Sequence, residues 1–199
     1  MGEEVKPVTD HSTSSFLVHG IMHILKGYDH LLFVSALVLA TVSFWEMFKV
    51  IGAFTLAHTI TLAVSTLTGF KLPDYVVEPV ISASIVFVAV ENIIWPRRSK
   101  GWGRLLVAFS FGLVHGLGFA GALRDSMSGL GTSALVGALI AFSIGVEIGH
   151  QVVVLPLFGL LKMGDLKFTT RFRQLTLRYG SIAISLAGVY YLINALTSV

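Results

Sequence analysis

The stretch from Ser133 to Leu161 reads SALVGALIAFSIGVEIGHQVVVLPLFGLL, a run of apolar and small residues in which Glu147 and His150 are the only ionisable side chains. About 20 such residues, rising 1.5 Å each, span a hydrocarbon core roughly 30 Å thick. The segment is therefore long enough to cross a membrane with some tilt. A charged group at the centre of such a helix costs about 2.5 to 3.5 kcal/mol, and residues three apart lie within about 60° of one another around the axis. One stretch thus carries both the fold and the chemistry, a membrane helix that aims a carboxylate and an imidazole the same way.

Outward from this helix, five further apolar segments can be drawn: Phe16 to Phe44, Val50 to Gly69, Val76 to Trp95, Trp102 to Leu123 and Tyr179 to Leu196. The 199-residue chain is 54% hydrophobic and 13% charged, with a mean hydropathy of +0.81, whereas soluble domains carry about 25% charged residues. A water-soluble fold is excluded on that balance. The expected architecture is all-α, a polytopic membrane bundle of about six transmembrane helices. Residues 16–199 form a single transmembrane domain, and 1–15 form a polar tail. The first segment is too long for one straight span, and Lys26-Gly27-Tyr28-Asp29-His30 interrupts it. It is expected to be tilted, kinked or partly outside the lipid.

The loops set the orientation. Arg97, Arg98, Lys100 and Arg104 lie between the third and fourth segments, and Lys162, Lys167, Arg171, Arg173 and Arg178 between the fifth and sixth. Six spans put these two clusters on one face, and the positive-inside rule makes that face cytoplasmic. Both termini are then extracytoplasmic. Trp45, Trp95 and Trp102 fall at the same boundary, where indole rings favour the headgroup region. The net charge of +3 therefore reads as a topology signal, with the lipid bilayer as partner and no nucleic acid. Cysteine is absent, so disulfides and thiolate metal sites are excluded.

The informative ionisable residues inside the apolar segments are His19, His23, Asp29, His30, His58, Glu91, His115, Glu147 and His150. On a continuous first helix His19, His23 and His30 share one stripe about 40° wide. Glu-x-x-His resembles the inward-facing metal pair of bundle proteins. Imidazole with carboxylate oxygen suits a divalent transition metal such as nickel, cobalt, zinc or iron, and the lack of cysteine disfavours Cu(I). Each residue also has a plainer reading. His19 and His23 could face headgroups or water, His58 could make a neutral interhelical hydrogen bond, Glu91 could pair with Arg97 or Arg98, and Asp29 with Lys26. Val18-His19-Gly20 and Val114-His115-Gly116 match in helices that run antiparallel, the relation that inverted repeats need, although chance also produces matching tripeptides.

His23-Ile-Leu-Lys-Gly-Tyr-Asp29-His30 resembles the His, five residues, Asp-His motif of the HupE/UreJ proteins, accessory membrane proteins of hydrogenase and urease systems, and Phe111-Gly-Leu-Val-His115-Gly116 resembles part of their second motif. The resemblance implies several membrane helices, nickel or cobalt permeation, and metal handling by His23, Asp29, His30 and His115. In the second motif Phe111 stands where a histidine is expected and Gly118 where a glutamate is expected. Glu147 and His150 could supply the missing ligands.

The expected function is a divalent metal permease of the inner (plasma) membrane. Its site is His23, Asp29, His30, His58, His115, Glu147 and His150, with His19 at the outer approach and Glu91 at the cytoplasmic exit. No P-loop is present, so transport would draw on the ion's own gradient, the membrane potential or a proton gradient. The alternatives are a membrane-embedded metal-dependent enzyme or a metal-binding sensor or accessory subunit. A second copy of the chain or a metalloenzyme-maturation protein is the expected partner beyond lipid and metal.

Overall fold

The computed structural model describes residues 12–96, 101–167 and 170–197. Those residues form seven α-helices and no strands: α1 (Thr13–Lys26), α2 (Tyr28–Ala40), α3 (Phe44–Thr68), α4 (Asp74–Ile94), α5 (Gly101–Ser126), α6 (Thr132–Lys167) and α7 (Thr170–Thr197). Five of them, α3 to α7, are long and apolar enough to cross a membrane, and α1 with α2 makes a sixth span if the bent pair is counted as one. Of the tail expected over residues 1–15, Met1 to His11 lie outside the described residues, and Thr13 to Ser15 already belong to α1.

The first segment is broken. At Gly27 the chain bends by 71° between α1 and α2, and the Gly27 N–H closes α1 by donating to the His23 carbonyl at 2.9 Å. The stripe expected to align His19, His23 and His30 on one helix therefore does not exist, because angular spacing carries across a junction only if the axis is continuous.

α1, α4 and α6 run towards the end of the bundle that holds Arg104, Arg173 and Arg178, here the basic end, whereas α3, α5 and α7 run away from it. Small residues set the tightest contacts. Gly20 of α1 lies on the Phe142 carbonyl of α6, and Gly112 of α5 on the Phe54 carbonyl of α3, so that a Cβ at either glycine would collide with backbone. This is small-residue packing of the kind membrane helices use in place of a hydrophobic driving force. The outside of the bundle is apolar, with Leu56, Ile60 and Val64 of α3 and Ile140, Ile144 and Ile148 of α6 exposed. The inside is where the polar groups are.

Two apolar clusters divide the interior. One, containing Phe33, Leu37, Ile51, Phe54 and Val88, lies toward the basic end. The other, containing Phe16, Ile24, Leu62, Phe142 and Leu123, lies toward the opposite end. Between them sit the histidines.

Candidate metal centre

His58, His115 and His150 are fully buried, and His23 and His30 nearly so. α1 supplies His23, α2 His30, α3 His58, α5 His115 and α6 His150. His58 and His115 each lie about 21 Å from the start of their helices, near mid-span. One ligating nitrogen from each of His23, His30 and His58 lies within 4.8 Å of the other two. The bend at Gly27 is what brings the first two together, since their ring centroids are 4.8 Å apart from opposite sides of the break. The His115 ring stands 4.9 Å from that of His30. His150 reaches the group beside Phe54, centroid to centroid 5.5 Å.

An equilateral triangle of 4.8 Å edge has its centre about 2.8 Å from each corner, and metal–imidazole bonds run about 2.0–2.1 Å. An inward shift of about 0.7 Å per ring would close the site. Few of these ring nitrogens are hydrogen-bonded. Among the described residues, both nitrogens of His23 and His58, Nε2 of His30 and His150, and Nδ1 of His115 have no hydrogen-bond partner. Seven of the ten ring nitrogens are thus buried and orphaned, whereas buried polar atoms are otherwise almost always paired.

The three paired nitrogens fix which lone pairs are free. Asp29 Oδ1 accepts from the His30 N–H at 2.8 Å and lies 3.1 Å from His30 Nδ1, so Nδ1 carries the proton and Nε2 is left basic. Ser84 Oγ donates to the Ile81 carbonyl at 2.6 Å. It can then only accept from His115 Nε2 at 3.1 Å, which frees His115 Nδ1. Thr55 Oγ1 donates to the Ile51 carbonyl at 3.1 Å and so accepts from His150 Nδ1 at 3.0 Å, freeing His150 Nε2. Each arrangement is the one by which outer partners orient metal-binding imidazoles. Accordingly Ser84→Ala or Thr55→Val should lower the affinity for nickel or cobalt about 10-fold to 100-fold while the protein stays folded. Titration calorimetry on purified protein checks this, and unchanged affinity in both variants would remove the two hydroxyls from the site.

The other residues singled out in the sequence lie at the edge of this core or away from it. Asp29 is half-buried and acts through His30; it pairs with that ring and not with Lys26. Glu147 is half-buried and accepts from Gln151 Nε2 at 2.7 Å, so the Glu147 and His150 pair is divided, with the imidazole inside and the carboxylate at the edge. His19 is half-buried, one turn before His23.

Glu91 is held elsewhere. Its Oε2 accepts from Arg104 Nη1 at 3.1 Å, and Arg97 and Arg98, the partners weighed from sequence, lie outside the described residues. Arg104 is fully buried, with Nη2 donating to the carbonyls of Ala36 at 2.8 Å and Leu37 at 3.3 Å, and to Asn92 Oδ1 at 2.9 Å. It serves carbonyls near the end of α2, where a helix runs out of internal donors. By charge clustering alone Arg104 reads as a loop arginine. Its place three residues into an apolar segment was the available sign that it is an intramembrane group with a partner.

Comparison with curated proteins and with solved structures finds no match. The model of the HupE / UreJ protein family matches residues 3–195, nearly the whole chain. The chain belongs to the HupE/UreJ family, as a multi-pass helical membrane protein with a metal-related accessory or transport role.

Proposed function

We propose that this protein is a permease for a divalent transition-metal ion of the nickel or cobalt kind, which it carries as substrate through His23, His30, His58, His115 and His150. The observation that supports this most is the set of seven unpartnered imidazole nitrogens on five neighbouring buried histidines, one each from His23, His30 and His58 lying within 4.8 Å of one another. Leaving them buried without a partner costs free energy at each atom, and a cation that accepts one lone pair from each neutral imidazole removes the cost at up to five of them. Several borderline ligands of moderate strength also let an ion leave, which conduction needs. Asp29 supplies negative charge beside His30, and His19 and Glu147 stand at the periphery of the same route. The basic end is cytoplasmic in this reading, both termini face outward, and the membrane is the inner (plasma) membrane.

Purified protein in liposomes holding a metal-sensitive dye should pass nickel or cobalt down an imposed gradient, faster than empty liposomes, and His58→Ala should reduce that flux to near the background. Binding without flux for nickel, cobalt, zinc and iron would set the permease aside in favour of a metal-binding accessory subunit or an enzyme.

A further inference from the structure

The packing of α1 on α6 repeats that of α3 on α5. Gly20 lies on the Phe142 carbonyl and against Gly145; Gly112 lies on the Phe54 carbonyl and against Ala57. One turn further along, Gly149 packs on Ile24 in the first pair, and in the second Gly116 packs on Thr61. These contacts align Gly20-x-x-His23 with Gly112-x-x-His115, and Ala53-Phe54-Thr55-Leu56-Ala57 with Ala141-Phe142-Ser143-Ile144-Gly145. The register differs by one turn from the Val-His-Gly match visible in the sequence, and chemistry follows it. His23 lies beside the Phe142 ring with centroids 5.7 Å apart and the planes tilted by 41°, and His115 lies beside the Phe54 ring at 5.2 Å, edge-on at 78°.

Within each pair the two helices run parallel, and the pairs run in opposite directions. The α1–α6 pair and the α3–α5 pair are therefore related by a two-fold axis perpendicular to the helices, and 13–94 and 101–197 each give one helix to each pair; α2, set off by the bend at Gly27, has no counterpart in 101–197. The axis passes near the cluster, since His23 belongs to the apolar environment of Phe142 at one end and His115 to that of Phe54 at the other. Two inverted helix pairs with the same close approaches can exchange conformations about a fixed site, opening first one end and then the other.

We infer that the chain is an inverted-repeat carrier, in which His23 beside Phe142 and His115 beside Phe54 are the equivalent ligand and gate positions for the two sides of the membrane. The ligands between them are not duplicated. His58 corresponds to Val146 and His150 to Leu62, so one shared central ion serves both states. Phe111 corresponds to His19, which accounts for an aromatic ring against Phe33 at 5.9 Å where the peripheral histidine of the other half stands.

The inference rests on the permease reading, and counterflow separates the two. Liposomes containing the unmodified protein and loaded with unlabelled nickel are diluted into radiolabelled nickel. A carrier must accumulate label transiently, several-fold above the level reached without the internal load, because each return step brings label in. Flux that rises monotonically to equilibrium overturns the carrier and leaves the permease standing. The absence of cysteine allows a second measurement that does not need flux. Phe54→Cys and Phe142→Cys should each react with an impermeant thiol reagent from one side only, from opposite sides, and the double variant should not react at both positions at once in a single chain. Reaction of both positions from the same side, or simultaneous reaction, overturns the inference even where flux is absent.

Discussion

Replacement of His30 or His58 by alanine is expected to weaken nickel or cobalt binding by on the order of 100-fold or more, because loss of an outer partner alone costs about 10-fold to 100-fold in metal affinity and here a ligand itself is lost. Both rings belong to the tightest group of ligating nitrogens, so neither can be bypassed without moving a helix. The same substitutions should not unfold the chain, since the His58 nitrogens have no internal partner and the one partner of the His30 ring, Asp29, is 34% exposed and keeps access to water. Asp29→Asn belongs to the same series with a smaller loss, because the amide can still hold the His30 ring. Calorimetric affinity measured beside a melting curve distinguishes the outcomes. Affinity within a few-fold of the unmodified protein for both alanine variants would exclude the two histidines as ligands.

The second large effect concerns stability. Glu91→Ala should destabilise the protein by about 3–5 kcal/mol, the cost of leaving one member of a buried ion pair uncompensated. Arg104 is fully buried and the Glu91 side chain is 12% exposed, so water can offer Arg104 little replacement. Metal bound per folded chain should stay unchanged. The double variant Glu91→Leu with Arg104→Met should recover part of the loss, because a buried pair replaced by apolar residues of similar volume is often neutral or better. Thermal denaturation in detergent with elemental analysis of the folded fraction reads both quantities. Full stability in Glu91→Ala together with impaired metal release would return Glu91 to the role of exit ligand.

The sequence and the structure part company at particular residues, and the reasons are physical. Apolar runs of span length read directly as helices, because only a helix satisfies its own backbone inside lipid; the six segments reappear as α3 to α7 and the bent α1–α2 pair. The histidines read just as directly, because ionisable groups are costly there, and all five of the buried set were named. What sequence could not supply was how separate helices meet. The break at Gly27 turned His23 and His30 toward each other, where periodicity along one axis had offered a stripe. Glu147 and His150 looked inseparable at three residues' spacing, but one turn of α6 spans both a packed face and its edge, and only His150 points to the packed side. Ser84 and Thr55 had no signal of their own, since a hydroxyl in an apolar helix usually bonds to the preceding turn. They do that too, and their remaining capacity is what orients His115 and His150.

The repeat shows the same limit from another direction. Few residues are identical between the halves, and the tripeptide that does match is one turn out of register with the packing. What the halves share is a set of close approaches, glycine on a phenylalanine carbonyl and histidine on the same phenylalanine's ring. These are requirements on shape, and several residue types meet them elsewhere along the same helices.

In the proposed reading a buried imidazole cluster holds a divalent transition-metal ion at mid-span. Its most direct test is X-ray absorption at the metal edge on purified protein loaded with nickel or cobalt, with the metal content of the same sample determined by elemental analysis. The expected result is one tightly held ion per chain with at least three imidazole nitrogens about 2 Å away, and loss of that signature in His58→Ala. A chain that retains no metal, or an ion bound through oxygen alone with an unaltered spectrum in His58→Ala, would contradict it.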